Sequence, residues 1–243
     1  MRKAFRRKPV IQWMSAEPEQ WYPAGAFGEA TALTESLEAE GTGGWPNLLL
    51  AAERGDAEAV RAELAADANI NEADDGGWSA LHLAALNART AAVEALIEHP
   101  AIDVNSRNKW KSTPLSLASA KGHYASILAL VKHPEIEINA RADYYGRTAL
   151  IEAAKNGHLD IVKLLVENGA DVNLSDKTGR NNALIEAIKG RHYDVADYLL
   201  NSRKMNFLNK DMRLNALIWA GSCHNPQLIE KLETSIHNFF EGK

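Results

Sequence analysis

Residues 144–173 read YYGRTALIEAAKNGHLDIVKLLVENGADVN, which spells out two short helices with a turn between them. Thr148 can cap the first helix, because its hydroxyl accepts a hydrogen bond from an otherwise unpaired first-turn amide. Leu150, Ala153 and Ala154 give that helix an apolar side of small residues. Asn156 and Gly157 break it, since both tolerate positive φ. Ile161, Val162, Leu164 and Leu165 recur at helical spacing in the second helix. Gly169 follows its end, where a left-handed cap is wanted. Such a pair has two apolar faces and nothing of its own to bury them against, so alone it should not fold.

The pattern recurs. The leucine that opens each first helix falls at Leu48, Leu81, Leu115, Leu150, Leu184 and Leu217, at spacings of 33, 34, 35, 34 and 33. Short apolar-Asn closures follow at Ile70-Asn71, Val104-Asn105, Ile138-Asn139, Val172-Asn173 and, loosely, Met205-Asn206. Units that contact only their neighbours make an elongated stack. Ser79-Ala80-Leu81-His82-Leu83-Ala84-Ala85 and Thr113-Pro114-Leu115-Ser116-Leu117-Ala118, the turns Gly122-His123 and Gly157-His158, and the closure Asn168-Gly169-Ala170-Asp171-Val172-Asn173 together resemble the ankyrin repeat. The resemblance implies an all-α solenoid of about six helix-turn-helix repeats with loop tips, plus an N-terminal extension. The domains expected are a basic arm and capping helix over 1–45, the solenoid over 46–236 and a tail over 237–243. Three departures stand out. Pro100 and Pro134 replace the terminal glycine of the second and third repeats, Arg191 replaces the turn glycine of the fifth, and the sixth is degenerate throughout. Terminal units have only one neighbour to bury against.

Composition is that of an ordinary globular chain, with 46% hydrophobic residues, 24% charged residues and a net charge of −5. That balance gives no global pull toward nucleic acid or membrane. The single cysteine, Cys223, allows no internal disulfide. No apolar run approaches the ~18–20 residues of a spanning helix. Arg2, Lys3, Arg6, Arg7 and Lys8 form a basic block, followed by an apolar run too short for a secretory core. A cytoplasmic protein is expected. Trp13, Trp21 and Tyr22 follow that block, and a helix is expected over 28–40 with Ala30, Leu33 and Leu37 on one side. At the other end, Ile229, Leu232 and Ile236 fall at helical spacing before Phe239 and Phe240, which read as a cap on the last repeat, with a docking peptide for another protein as the alternative.

No catalytic set emerges. His123, His158 and His192 stand once per repeat at the starts of second helices, and His82 matches the family's motif histidine, so all four read as scaffold. His99 and His133 precede proline at helix ends, and His237 lies alone in the tail. Cys223-His224 offers too few ligands for a structural zinc. Asp74-Asp75 sits in a loop tip, where turn chemistry accounts for it. No full phosphate-cradling loop is present; Gly41-x-Gly43 is incomplete. No enzyme, metal or cofactor is expected.

The tips carry the functional reading. Arg107, Lys109 and Lys111 fall in 106–112, Arg141 and Arg147 in 140–147, Lys177 and Arg180 in 174–181, and Lys210 and Arg213 in 207–214. Against these nine stand Asp143, Asp176 and Asp211, so the tips sum to +6 and the remainder of a −5 chain carries −11. Lys121, Lys155 and Lys189 extend the basic column along the first helices, and Trp78, Trp110, Tyr144 and Tyr145 are interleaved. The second helices are acid-rich. The family resemblance places partners on the concave surface of tips and first helices. The expected function is therefore a non-catalytic protein-binding module, monomeric alone, that clasps an acidic partner protein. A narrower version is an inhibitor or immunity protein. The alternative is a nucleic-acid-binding scaffold using the basic tips and N-terminal arm, with the aromatics stacking bases. Negative net charge and the absence of a nucleic-acid motif weigh against it.

Overall fold

Five of the six period-setting leucines open a helix at its first turns, and each such helix is followed closely by another. The computed structural model describes residues 46–202 and 204–241, all within the unit Pro46–Lys243. The expected arm and capping helix lie outside the described residues. Twelve helices are described: α1 Asn47–Arg54, α2 Ala57–Ala65, α3 Ala80–Leu86, α4 Thr90–Ile97, α5 Pro114–Lys121, α6 Tyr124–Leu130, α7 Ala149–Lys155, α8 Leu159–Glu167, α9 Ala183–Lys189, α10 Tyr193–Asn201, α11 Lys210–Ser222 and α12 Pro226–Glu241. They pack as six antiparallel pairs, α1 with α2 through α11 with α12, and first helices stack on first helices. This is the all-α solenoid that the sequence implies.

Side-chain caps start every first helix after α1. Thr148 Oγ1 accepts from the Ile151 amide at 3.3 Å. Ser79 and Thr113 close reciprocal capping boxes with His82 and Ser116, and Pro114 begins α5, where a missing N–H costs nothing. Of the Asn156-Gly157 break, only Gly157 takes the left-handed conformation, at φ 76°. Arg191 adopts the same conformation in the fifth pair, at φ 60°. α4 and α6 stop at Ile97 and Leu130, ahead of Pro100 and Pro134. His99 Nδ1 and His133 Nδ1 then accept the amides of Ala101 and Glu135.

Two apolar columns run through the stack. Leu81, Leu115, Leu150 and Leu184 are buried on the first helices, and Val60, Val93, Ile127, Val162 and Val195 on the second. Two polar ladders tie pair to pair. Asn105 Nδ2 donates to Glu135 O at 2.7 Å while its Oδ1 accepts from the Glu137 amide at 2.9 Å; Asn71, Asn139 and Asn173 repeat the bridge. The Nε2 atoms of His123, His158 and His192 reach back to the carbonyls of Leu86, Ala120 and Lys155. Arg89 does the same to Glu53 from the second pair. The periodic asparagines and histidines are the joints of the scaffold.

The last pair differs. Its first helix begins at Lys210, because Asn209 Oδ1 caps the amides of Asp211 and Met212 at 2.9 and 3.1 Å. The segment 207–214, read as a tip, is therefore helical from Lys210 onward, and no glycine or proline stands there to prevent it. α12 continues to Glu241, past the expected 236 boundary. Leu228 and Leu232 are its buried side, and the Phe239 ring meets Phe207 edge-on at 5.8 Å.

Candidate protein-interaction surface

Each tip is a turn held by a polar side chain. Asp74 Oδ1 accepts the amides of Gly76 and Trp78 at 2.8 and 2.9 Å, and Asn108 Oδ1 those of Trp110 and Ser112. Asp176 Oδ1 accepts from Thr178 N and Oγ1. Burial would raise the Asp176 carboxyl, but hydrogen bonds from the Thr178 hydroxyl, the Asn181 side chain and the Asn181 and Arg180 amides outweigh it and hold the carboxyl below the usual range. The turns are then joined to one another: the Lys109 amide donates to Gly76 O at 2.9 Å, Asp143 to Lys111 O at 3.2 Å and Lys177 to Tyr145 O at 2.7 Å. The four tips between Trp78 and Arg180 thus form one continuous row.

Along this row rings and cations lie side by side. Trp78 lies against Trp110 with centroids 5.7 Å apart. The Lys111 ammonium sits 5.9 Å above the Tyr144 ring, whose hydroxyl donates to Lys109 O at 2.9 Å. Arg147 packs over Tyr145 at 5.1 Å. Tyr144 and Tyr145 remain 55% and 41% exposed, so both rings are available to a partner. Arg107 and Arg141 each donate to a carbonyl of the next tip, Arg141 O and Ser175 O, at 2.6 Å. Lys177 Nζ similarly reaches Tyr144 O at 2.9 Å. A carbonyl leaves a cation its charge. Lys109, Lys111 and Arg180 are exposed.

Below the tips the electrostatics differ from a uniformly basic column. Arg147 Nε lies 2.7 Å from Asp143 Oδ2 and 3.0 Å from Glu152 Oε1. Lys189 Nζ lies 2.9 Å from Glu186 Oε1 and 2.7 Å from Asn181 Oδ1, beneath the Trp219 ring at 5.3 Å. Arg147 and Lys189 are therefore neutralised within the fold. Burial pushes the Glu152 carboxyl up, opposed by Arg147 and Lys155. Burial pulls Arg147 down, but Glu152 and Asp143 outweigh it and the net shift is upward. Arg213 donates to Phe207 O and covers the Phe240 ring at 4.9 Å. Lys155 is exposed. Lys121 sits one register later than Lys155 and Lys189: the histidine rings take the carbonyls of Ala120 and Lys155 as equivalents, and burial pulls the Lys121 ammonium down.

Sequence reasoning missed Glu152, Glu186 and Trp219. All three stand two residues after the repeat leucine, where Leu83 and Leu117 stand in earlier pairs; that spacing is the signal that could have found them.

His82 is fully buried. Its Nε2 donates to Ser112 O at 3.0 Å, so Nδ1 is left to accept from Ser79 Oγ at 2.8 Å. Burial pulls its pKa down, consistent with a neutral structural ring. Among the described residues no group of three or more His, Cys, Asp or Glu could hold a metal ion, and no helix is long and apolar enough to cross a membrane.

The family described as Ankyrin repeats (3 copies) matches the chain over residues 27–108, 48–142 and 101–176, which together span more than half of it. No curated protein matches the chain.

Proposed function

This chain belongs to the ankyrin-repeat family, whose arrays mediate protein–protein interaction, and we propose that it is a non-catalytic module that binds an acidic partner protein along its row of tips. One observation carries the reading. Arg107, Lys109, Lys111, Arg141, Lys177 and Arg180 are all exposed on that row. Among the described residues the ion pairs of the surface involve Arg147 and Lys189 instead. A continuous rank of uncompensated cations, with Tyr144 and Tyr145 between them, suits acidic side chains flanking an apolar anchor. Blocking an enzyme or toxin active site is one use of such a surface.

Affinity capture with the full chain identifies the partner, and calorimetric titration then compares wild type with Lys109→Glu/Lys111→Glu/Lys177→Glu/Arg180→Glu. Affinity is expected to fall at least about tenfold, with most of the loss in association rate and at low salt. Unchanged affinity refutes the electrostatic part of the proposal. A steeply salt-dependent shift of a random oligonucleotide would redirect the reading to nucleic acid.

A further inference from the structure

Two Asn-Gly pairs occur in the chain, Asn156-Gly157 and Asn168-Gly169, and each closes a helix of the fourth pair, α7 and α8. An asparagine before glycine is chemically labile. Glycine has no Cβ to shield its amide, so that nitrogen can attack the neighbouring carboxamide carbon. Locally the two sites are alike. Asn156 and Asn168 are both exposed. They take φ −97° and −92° with ψ 3° and 15°, and their Nδ2 atoms donate to Glu152 O and Leu164 O at 2.8 and 2.7 Å. The Gly157 and Gly169 amides each reach back to a helix carbonyl at 3.3 Å. Their surroundings differ. Gly157 lies under the His192 ring, whose Cε1 would stand 2.6 Å from a Cβ placed there. The same ring holds Lys155 O at 3.1 Å, and α8 starts at Leu159. Turning the peptide after Asn156 therefore displaces a ring of the next pair and the beginning of a helix. A Cβ placed on Gly169 would meet nothing within 4 Å, and Asn139 Nδ2 holds Gly169 O at a longer 3.3 Å.

We propose that Asn168 is a site of spontaneous deamidation in the folded chain and that the fold protects Asn156 from the same reaction. The Gly169 amide gives its proton to solvent base and its nitrogen attacks Asn168 Cγ. That N–C bond forms, the Cγ–Nδ2 bond breaks, and ammonia leaves with the proton it needs, closing a succinimide ring. Water then opens the ring at one carbonyl or the other, leaving aspartate or isoaspartate. Water is the only co-reactant. Reaching the attack geometry takes a local opening at the end of α8, and helix ends with open space beside them open most readily. The product alters the array. It places a carboxylate at the C-terminal end of α8, where the helix dipole disfavours one. The isoaspartyl form also lengthens the main chain by one methylene ahead of Gly169 O. Asn139 grips that oxygen with Nδ2 and the Asp171 amide with Oδ1, so the rung between the third and fourth closures is loosened.

Incubating the full chain for weeks at mildly alkaline pH, folded and in guanidinium chloride, isolates the contribution of the fold. Trypsin then places the two asparagines in separate peptides, 156–163 and 164–177, and mass spectrometry reads the exchange of NH2 for OH in each. In denaturant both sites should convert at similar rates. In the folded chain Asn168 should convert at least about tenfold faster than Asn156. Equal conversion of the two when folded, faster conversion at Asn156, or conversion of neither while the unfolded chain converts both overturns the proposal. Asn168→Gln, whose longer side chain must close a larger ring, should abolish the acidic species that accumulates on ion exchange, and Asn156→Gln should leave it. Persistence of that species in Asn168→Gln also overturns the assignment. The purified acidic species should unfold at a lower urea concentration than fresh protein, and an unchanged midpoint refutes the loosened rung. None of these readouts involves the tip charges, so this inference and the proposed function fail separately.

Discussion

Replacing Arg147 by Met tests the electrostatics beneath the tips. The guanidinium sits between Asp143 and Glu152, and the side chains of Arg147 and Glu152 are only 14% and 11% exposed. Breaking so buried a pair from the cationic side strands a carboxylate away from water. That costs about 3 kcal/mol, the low end of the range for such losses because a tenth of each side chain still reaches solvent. In a chain of this size the melting temperature falls by roughly 6–12 °C. The cost depends on pH in a definite direction. The folded-state value of Glu152 lies above its ordinary 4.5. Its contribution is therefore fully present below 4.5 and is lost as pH rises through the raised value. Removing Arg147, which holds that value down, raises it further, so the penalty of the substitution shrinks as pH falls toward 4.5. Urea unfolding followed by circular dichroism, near neutrality and again near 4.5, measures both effects. Arg147→Met/Glu152→Leu should recover most of the loss, because Leu83 and Leu117 already occupy the equivalent place and apolar packing often replaces a buried pair at no cost. A loss in the single variant below about 1 kcal/mol, or one independent of pH, refutes the reasoning.

Asn105→Ala removes two bonds to the backbone of the next closure. At about 1 kcal/mol net each, it should destabilise by roughly 1–2 kcal/mol, read from the urea midpoint. His82 has a folded-state pKa below its ordinary 6.5, so its contribution is present above 6.5 and lost as pH falls below it. The wild-type urea midpoint should drop through that window, and His82→Gln should flatten the drop.

Much of the fold was legible because the repeat punishes misreading. Leu48 to Leu217 set the period, Pro100 and Pro134 stopped their helices, and the histidines and asparagines betrayed their structural role by recurring. The surface was legible in part. Tyr144, Tyr145, Lys109 and Lys111 emerged where expected. Arg147 and Lys189 did not emerge as free charges, because Glu152 and Glu186 occupy a position that leucine fills elsewhere. The early start of α11 was not legible, because Asn209 stands eight residues before the repeat leucine whereas the caps of earlier first helices stand two before it.

The asparagine ladder has a consequence for how such a chain can change over time. Across the seam each carboxamide grips peptide atoms of the following closure, and every residue except proline offers those same atoms. The seam is blind to the identity of what it joins. A cassette of one period can be copied or cut out, and the flanking units will close on each other without any new recognition having to be invented.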